Sequence, residues 1–210
     1  MSVSKIKATV FSQEQLASDV FSMWLEVGSI ASEAKPGQFI SVYSNDDCKL
    51  LPRPISICEI DRENGRLRIV YRVVGYGTKE FSGCKAGDTL EIMGPLGNGY
   101  TLKKDKAILV AGGIGVPPML ELAKELDCEK TIVLGYRDEL FLNKEFEQYG
   151  KVVIATEDGS CGTKGNVLDA IRAESVDGQV IYSCGPTPML RALKQYAADK
   201  GIEAWISLEE

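Results

Sequence analysis

The chain has 210 residues, 44% of them apolar and 26% charged, which suits a globular protein long enough for two modest domains with separate cores. Lys and Arg number 24 against 30 Asp and Glu, a net charge of −6 with no basic run, so a nucleic-acid backbone is repelled. There is no histidine, which removes the commonest general base and metal ligand; no apolar run long enough to span a bilayer and no secretory apolar core in MSVSKIKATVFSQ point to a cytoplasmic protein without membrane segments.

Up to about Ile92 the apolar pattern predicts short strands: KIKATV, DVFSMWLEV, QFISVY, PISICEI, RLRIVYRVV and DTLEI, with turn signals such as Asn64-Gly65 between them. Six strands of this kind predict a small antiparallel barrel. Within them LPRPISI, residues 51–57, holds Arg53 between two prolines. Proline gives no N–H to a ladder, so Arg53 is expected at an edge or at a deliberate break in pairing. The Gly- and Pro-rich GPLGNGY, residues 94–100, is the expected linker. It divides the chain into domains 1–98 and 99–210.

Beyond it the rhythm becomes strand, helix, strand. KAILVA, TIVLGY, KVVIAT, QVIYSC and EAWISL read as buried strands, and Met119, Leu122, Ala123 and Leu126 recur at helical spacing between the first two. Pro117 and Pro118 suit the first turn of that helix, and Gly201 suits the end of a later one starting near Pro188. Five strands linked by helices predict a doubly wound parallel sheet. Cys48, Cys58, Cys84, Cys128, Cys161 and Cys184 never form a C-x-x-C pair, so they read as small buried hydrophobes rather than as a metal site or disulfides.

A doubly wound sheet binds ligands beyond the carboxyl ends of its strands. There AGGIGVPP offers Gly112, Gly113 and Gly115, a backbone open to close approach, followed by a helix start whose N–H groups would face a phosphate. GYRDE ends the second strand and places Asp138 23 residues after Gly115, near where a carboxylate accepts from a ribose 2′-OH and favours NAD over NADP. Arg137 beside it offers the opposite preference, and a solvated loop acid is the plainer reading. YSCGPTPML sets Cys184, Gly185 and Pro186 at a sharp strand-to-helix corner with Thr187 as its expected cap. A polarizable sulfur and a close-approaching backbone there would stand beside a ring held in the crevice.

RPISI, VYR at 70–72, GYGT at 75–78, GGIGVPP and CGP, in that order, resemble the ferredoxin reductase superfamily. Within it they resemble the electron-transfer subunits of class 1B dihydroorotate dehydrogenases, over essentially the whole chain, DGSCGTKGNV at 158–167 and the closing EAWISLEE included. The resemblance implies a six-stranded antiparallel FAD-binding barrel followed by an NAD-binding α/β domain. Arg53 then looks like a ligand of the FAD pyrophosphate, a role its guanidinium fork suits on a platform stiffened by the flanking Pro52 and Pro54. Ile55 and Ser56 follow, with Ser56 near enough to hydrogen-bond the flavin ring. Val70, Tyr71 and Arg72, by themselves an ordinary strand, would line the next strand, and Gly77 and Thr78 would bring a short helix start to the phosphates.

Hydride exchange between a nicotinamide and a flavin needs no protein base, so no catalytic side chain is expected. The resemblance also implies a [2Fe–2S] cluster and a dihydroorotate-oxidising catalytic subunit, joined in a heterotetramer that passes electrons to NAD in pyrimidine biosynthesis. Relatives continue past SLEE into a cysteine-rich segment that ligates the cluster, and the chain as given has no such ligand set. A truncated version and a cluster-free relative both fit. So do two other readings: the flavoprotein subunit of an NAD(P)H-dependent ferredoxin or sulfur reductase, and a redox-inert interaction module.

Overall fold

The structure, a computed structural model, describes residues 5–44 and 51–207; Cys48 lies outside them. The chain divides into two compact units, Met1–Tyr100 and Thr101–Glu210.

The first unit is a closed antiparallel barrel of strand order β1-β2-β5-β4-β3-β6. Its strands are β1 (Lys5–Ala17), β2 (Val20–Glu26), β3 (Phe39–Val42), β4 (Arg53–Asp61), β5 (Arg66–Arg72) and β6 (Thr89–Leu96), with the short helices α1 (Ile30–Glu33) and α2 (Tyr76–Phe81) between them. The six strands read from the apolar pattern are these six. Inward residues meet in one cluster that includes Met23, Leu25, Ile40, Val42, Ile57, Leu67, Ile69, Leu90 and Ile92, joined by Ala31 of α1 and Phe81 of α2. Burial of this apolar surface holds a small barrel closed.

The 94–100 segment differs from the expected linker. Its first three residues finish β6, and the rest is stitched onto the turn before β3: Gln38 Nε2 donates to Gly97 O at 2.7 Å and Tyr100 N to Pro36 O at 2.9 Å. Composition alone reads such a segment as free, because tertiary hydrogen bonds leave no mark on it.

The second unit is a parallel sheet of order β10-β9-β8-β7-β11-β12. The strands are β7 (Ala107–Gly112), β8 (Lys130–Tyr136), β9 (Lys151–Thr156), β10 (Thr163–Lys164), β11 (Val180–Cys184) and β12 (Glu203–Ser207). Helices α3 (Pro118–Glu125) and α4 (Asn143–Phe146) pack together, as do α5 (Val167–Ala173) and α6 (Thr187–Lys200). The chain steps outward from β7 to β10 and then returns to β11 on the other side of β7. This reversal is the switch point of a doubly wound sheet. Only β10, two residues inside a glycine-rich loop, is additional to the expected strands.

Helix ends follow local chemistry with two differences. Gly201 caps α6 in the left-handed conformation, φ 66°, as expected. Thr187 is the first residue of α6 rather than its cap; Pro186 holds the cap position without a side-chain hydrogen bond. Leu126 ends α3 as an extended residue, yet stays buried, so its apolar spacing reflects the core rather than the helix.

Candidate functional site

In the barrel the β4–β5 ladder runs from Asp61↔Arg66 to Ile57↔Ile69. Among the described residues it does not continue to the ends Arg53–Ser56 and Val70–Arg72. Each end is paired on its other side, Arg53–Ser56 with β3 and Val70–Arg72 with β2. The two strands therefore part company, and their backbones face each other without a shared ladder. The prolines flanking Arg53 mark this break, as expected, although it affects one side only and β4 is an interior strand of the barrel.

The side chains at this opening divide by role. Ile55 and Tyr71 are buried in the barrel cluster, Val70 is buried, and Arg53, Ser56 and Arg72 are half-buried, with Pro54 exposed. Arg72 pairs with Asp19, Nε to Oδ2 at 3.0 Å. Tyr71 stacks on Phe21, 6.1 Å between ring centroids, and meets Phe81 edge-on at 6.2 Å. Burial, with a smaller contribution from Cys84, pushes its hydroxyl well above the ordinary tyrosine range, so it remains a proton donor.

Arg53 and α2 are brought together from segments 24 positions apart, Arg53 to Gly77. A Cβ on Gly77 would stand 3.1 Å from Arg53 Nε and 3.3 Å from its Cγ; the guanidinium stem lies over a residue that has no side chain. Arg53 Nη1 donates to Leu51 O at 2.8 Å, which aims the rest of the fork. Thr78 Oγ1 accepts from Val74 N at 3.0 Å and Gly75 N at 3.2 Å and donates to Gly75 O at 3.1 Å. The threonine hydroxyl thus closes the turn before α2, and Gly77 and Thr78 are both buried.

In the second unit the β7 and β11 corners interlock. Cys184 is paired with Ala111 in the parallel register, and a Cβ on Gly115 would lie on the Cys184 carbonyl and 2.6 Å from Gly185 N. Gly112 is covered by Met189, whose sulfur would stand 2.7 Å from a Cβ there. Pro186 is exposed at the start of α6. Gly113 begins a 3-10 turn, Gly113–Gly115, before α3.

The helix start behind these glycines differs from the phosphate cradle expected of it. Pro117 and Pro118 have no N–H, Met119 N donates to Val116 O at 3.1 Å, and Leu120 N donates to Pro117 O at 3.0 Å. Its first turn offers little to an anion. Gly112 and Gly115 also permit the close contact of the two loops.

Asp138 follows β8 in an exposed loop, its Oδ1 accepting from Glu139 N at 2.7 Å. The loop is pinned at its base by a contact the sequence did not reveal. Tyr136 Oη donates to Phe141 O at 2.7 Å, with the rings edge-on at 5.4 Å. In the neighbouring loop Thr156 Oγ1 donates to Cys161 O at 2.8 Å and accepts from Cys161 N at 3.1 Å. Hydrogen bonds from Ser160 hold the Asp158 carboxyl below its ordinary range.

Cys58, Cys84, Cys128, Cys161 and Cys184 are not joined in disulfides. Among the described residues no group of three or more His, Cys, Asp or Glu is arranged for a metal ion, and the described cysteines do not fit an iron–sulfur cluster. No described helix is long and apolar enough to cross a membrane.

Residues 7–100, the barrel unit, match the oxidoreductase FAD-binding domain family. The chain is 41% identical to the dihydroorotate dehydrogenase B (NAD(+)) electron transfer subunit of Fusobacterium nucleatum, across 96% of this chain and 82% of that protein. The subunit of the same name from Bacillus caldolyticus is 39% identical, across 99% and 84%. The chain belongs to this family of electron transfer subunits. Family membership makes it a flavin oxidoreductase subunit, and two solved structures agree with the fold. A structure described as an NADH-dependent reduced ferredoxin-NADP oxidoreductase superposes with a TM-score of 0.88 at 31% identity, covering 96% of this chain and 76% of that one. A ferredoxin reductase in carbazole 1,9a-dioxygenase superposes at 0.80 with 20% identity, covering 99% and 70%.

Proposed function

We propose that this chain is the FAD-containing subunit through which a dihydroorotate dehydrogenase catalytic subunit exchanges electrons with NAD in pyrimidine biosynthesis. The observation that carries the reading is the meeting of Arg53, Gly77 and the parted ends of β4 and β5 inside the unit that matches the FAD-binding family.

Arg53 donates to the pyrophosphate, because a guanidinium fork held over a glycine and aimed by Leu51 O meets two phosphate oxygens at small entropic cost. Main-chain groups of Gly77 and Thr78 complete that contact. The parted ends supply Pro54, Ile55 and Ser56 on one side and Val70, Tyr71 and Arg72 on the other. Ile55 and Tyr71 turn their side chains into the core and contribute backbone, whereas the Ser56 hydroxyl hydrogen-bonds the ring. When bound, FAD supplies hydride exchange with a nicotinamide and single-electron exchange with a partner.

The second unit binds the nicotinamide nucleotide along the rim of Gly112, Gly113, Gly115, Cys184, Gly185 and Pro186. Asp138 accepts from the adenosine ribose and repels a 2′-phosphate, which selects NAD. No side chain serves as a base; these residues bind, orient and select. A heterotetramer with the catalytic subunit, in the reducing cytoplasm, completes the reading.

The test is visible absorption of the purified chain before and after anaerobic NADH, then dihydroorotate-dependent NAD reduction with the catalytic subunit added. Bleaching of a flavin band and coupled turnover are expected. A chain that retains no FAD after reconstitution sinks the proposal. The 31% likeness to an NADH-dependent reduced ferredoxin-NADP oxidoreductase supports a second reading, a ferredoxin-linked reductase. Turnover with reduced ferredoxin but none with the catalytic subunit would favour it.

A further inference from the structure

Gln13 sits on β1, outside every segment assigned above to the cofactor, yet its side chain ties two of them together. Its Nε2 donates to three carbonyls at the end of α2, Phe81 at 3.2 Å, Ser82 at 3.2 Å and Cys84 at 2.9 Å. Its Oε1 accepts from the Tyr71 hydroxyl of β5 at 2.8 Å. One amide therefore occupies both its donor and its acceptor side, joining the strand of Val70–Arg72 to the helix of Gly77 and Thr78.

That join adds to the other ties that hold α2: Ser44 Oγ donates to Glu80 Oε2, and Phe81 packs in the barrel cluster edge-on to Tyr71. The helix has six residues, and only Gly77, Thr78 and Phe81 of them are buried; the turn before it is open, with Val74 81% and Tyr76 58% exposed. Phe81 anchors the helix in the barrel through its apolar neighbours and its edge-on contact with Tyr71. Hydrogen bonds are directional, and those of Gln13 act at the end of α2, about 9 Å long at 1.5 Å per residue. Rotation blocked at Phe81 is thus blocked at Gly77. Gly77 in turn is the surface on which the Arg53 stem lies.

We infer that Gln13 is a positioning residue for the flavin dinucleotide: by tying α2 to Tyr71 it sets Gly77 under Arg53, and so sets the reach of that guanidinium toward a diphosphate. The inference rests on the reading of Arg53 as the pyrophosphate ligand. Gln13 itself touches no part of the cofactor in this account.

The experiment titrates the flavin-stripped full chain with FAD and with riboflavin, which has the same ring but no phosphate. Gln13→Met keeps the length and unbranched shape and removes every hydrogen bond. FAD affinity should fall about tenfold, the size of one charge-assisted contact, with riboflavin affinity unchanged. Equal weakening of both ligands indicates a merely structural role and overturns the inference, as does unchanged FAD affinity. Tyr71→Phe, which keeps both ring contacts and removes one of the hydrogen bonds, should give the same selective loss at roughly threefold, and covers failure of Gln13→Met to fold. Arg53→Ala separates the two layers. If it leaves FAD binding intact, the reading of Arg53 is wrong; if it weakens FAD selectively and Gln13→Met does not, only the role of Gln13 is wrong.

Discussion

The side chain of Arg53 lies across the backbone of Gly77 so closely that a methyl group there would stand 3.1 Å from Nε. That distance is too short for comfortable contact, and the yielding partner is a flexible side chain rather than backbone. Gly77→Ala should therefore leave folding intact and push the guanidinium aside. The expected cost is about 1 kcal/mol, or roughly fivefold weaker FAD binding, since a charge-assisted contact is strained rather than lost. Flavin titration alongside thermal unfolding reads both quantities; unchanged affinity would detach Gly77 from the cofactor.

Asp138 presents its carboxylate from a loop latched by Tyr136 and Phe141. Asp138→Asn should narrow the ratio of kcat/KM for NADH over NADPH by roughly fivefold, because an exposed charge pair is screened but still repulsive. The kcat with saturating NADH should stay the same. Steady-state kinetics with both nucleotides measures this, and a constant ratio would make Asp138 a solvated loop acid.

Gly115 poses a different problem from Gly77. Here the atoms a Cβ would meet are main chain, the Cys184 carbonyl and Gly185 N, the latter at 2.6 Å. Neither can swing away without moving the β11 corner. Gly115→Ala should destabilise the protein by roughly 1–3 kcal/mol, the usual cost of overpacking. Denaturant unfolding gives the value, and a change within error of zero would mean that the corner gives way easily.

Alkaline pH should weaken the fold through buried phenols. Burial raises the hydroxyls of Tyr71 and Tyr136 above their ordinary value. The folded state then holds their protons more tightly than the unfolded chain, in which they titrate at about 10. Their contribution to stability is complete below that pH and is lost as pH rises toward the folded values. The denaturation midpoint should fall above about pH 10, and tyrosinate absorbance from these two residues should appear only with unfolding. Early titration of all eight tyrosines would contradict their burial.

The sequence by itself determined the two architectures. Alternation and turn signals specified six barrel strands, and strand–helix repeats specified the doubly wound sheet, because burial periodicity is a local property of the chain. It also determined residue types whose chemistry is legible in place, such as Arg53 between prolines and the glycines at strand ends.

The tertiary structure decided what those residues face. Arg53 over Gly77, Gly115 against the Cys184 carbonyl, the Gln13 amide between Tyr71 and α2, and the latch from Tyr136 to Phe141 each join chain segments or main-chain atoms by contacts that leave no periodic trace. Prolines at 117 and 118 signalled a helix start correctly and by themselves remove two N–H groups from it; the hydrogen-bond pattern added that Met119 N and Leu120 N are engaged as well. Local patterns encode which surface is buried; mutual position follows from packing and directional hydrogen bonds, which involve residues far apart in sequence.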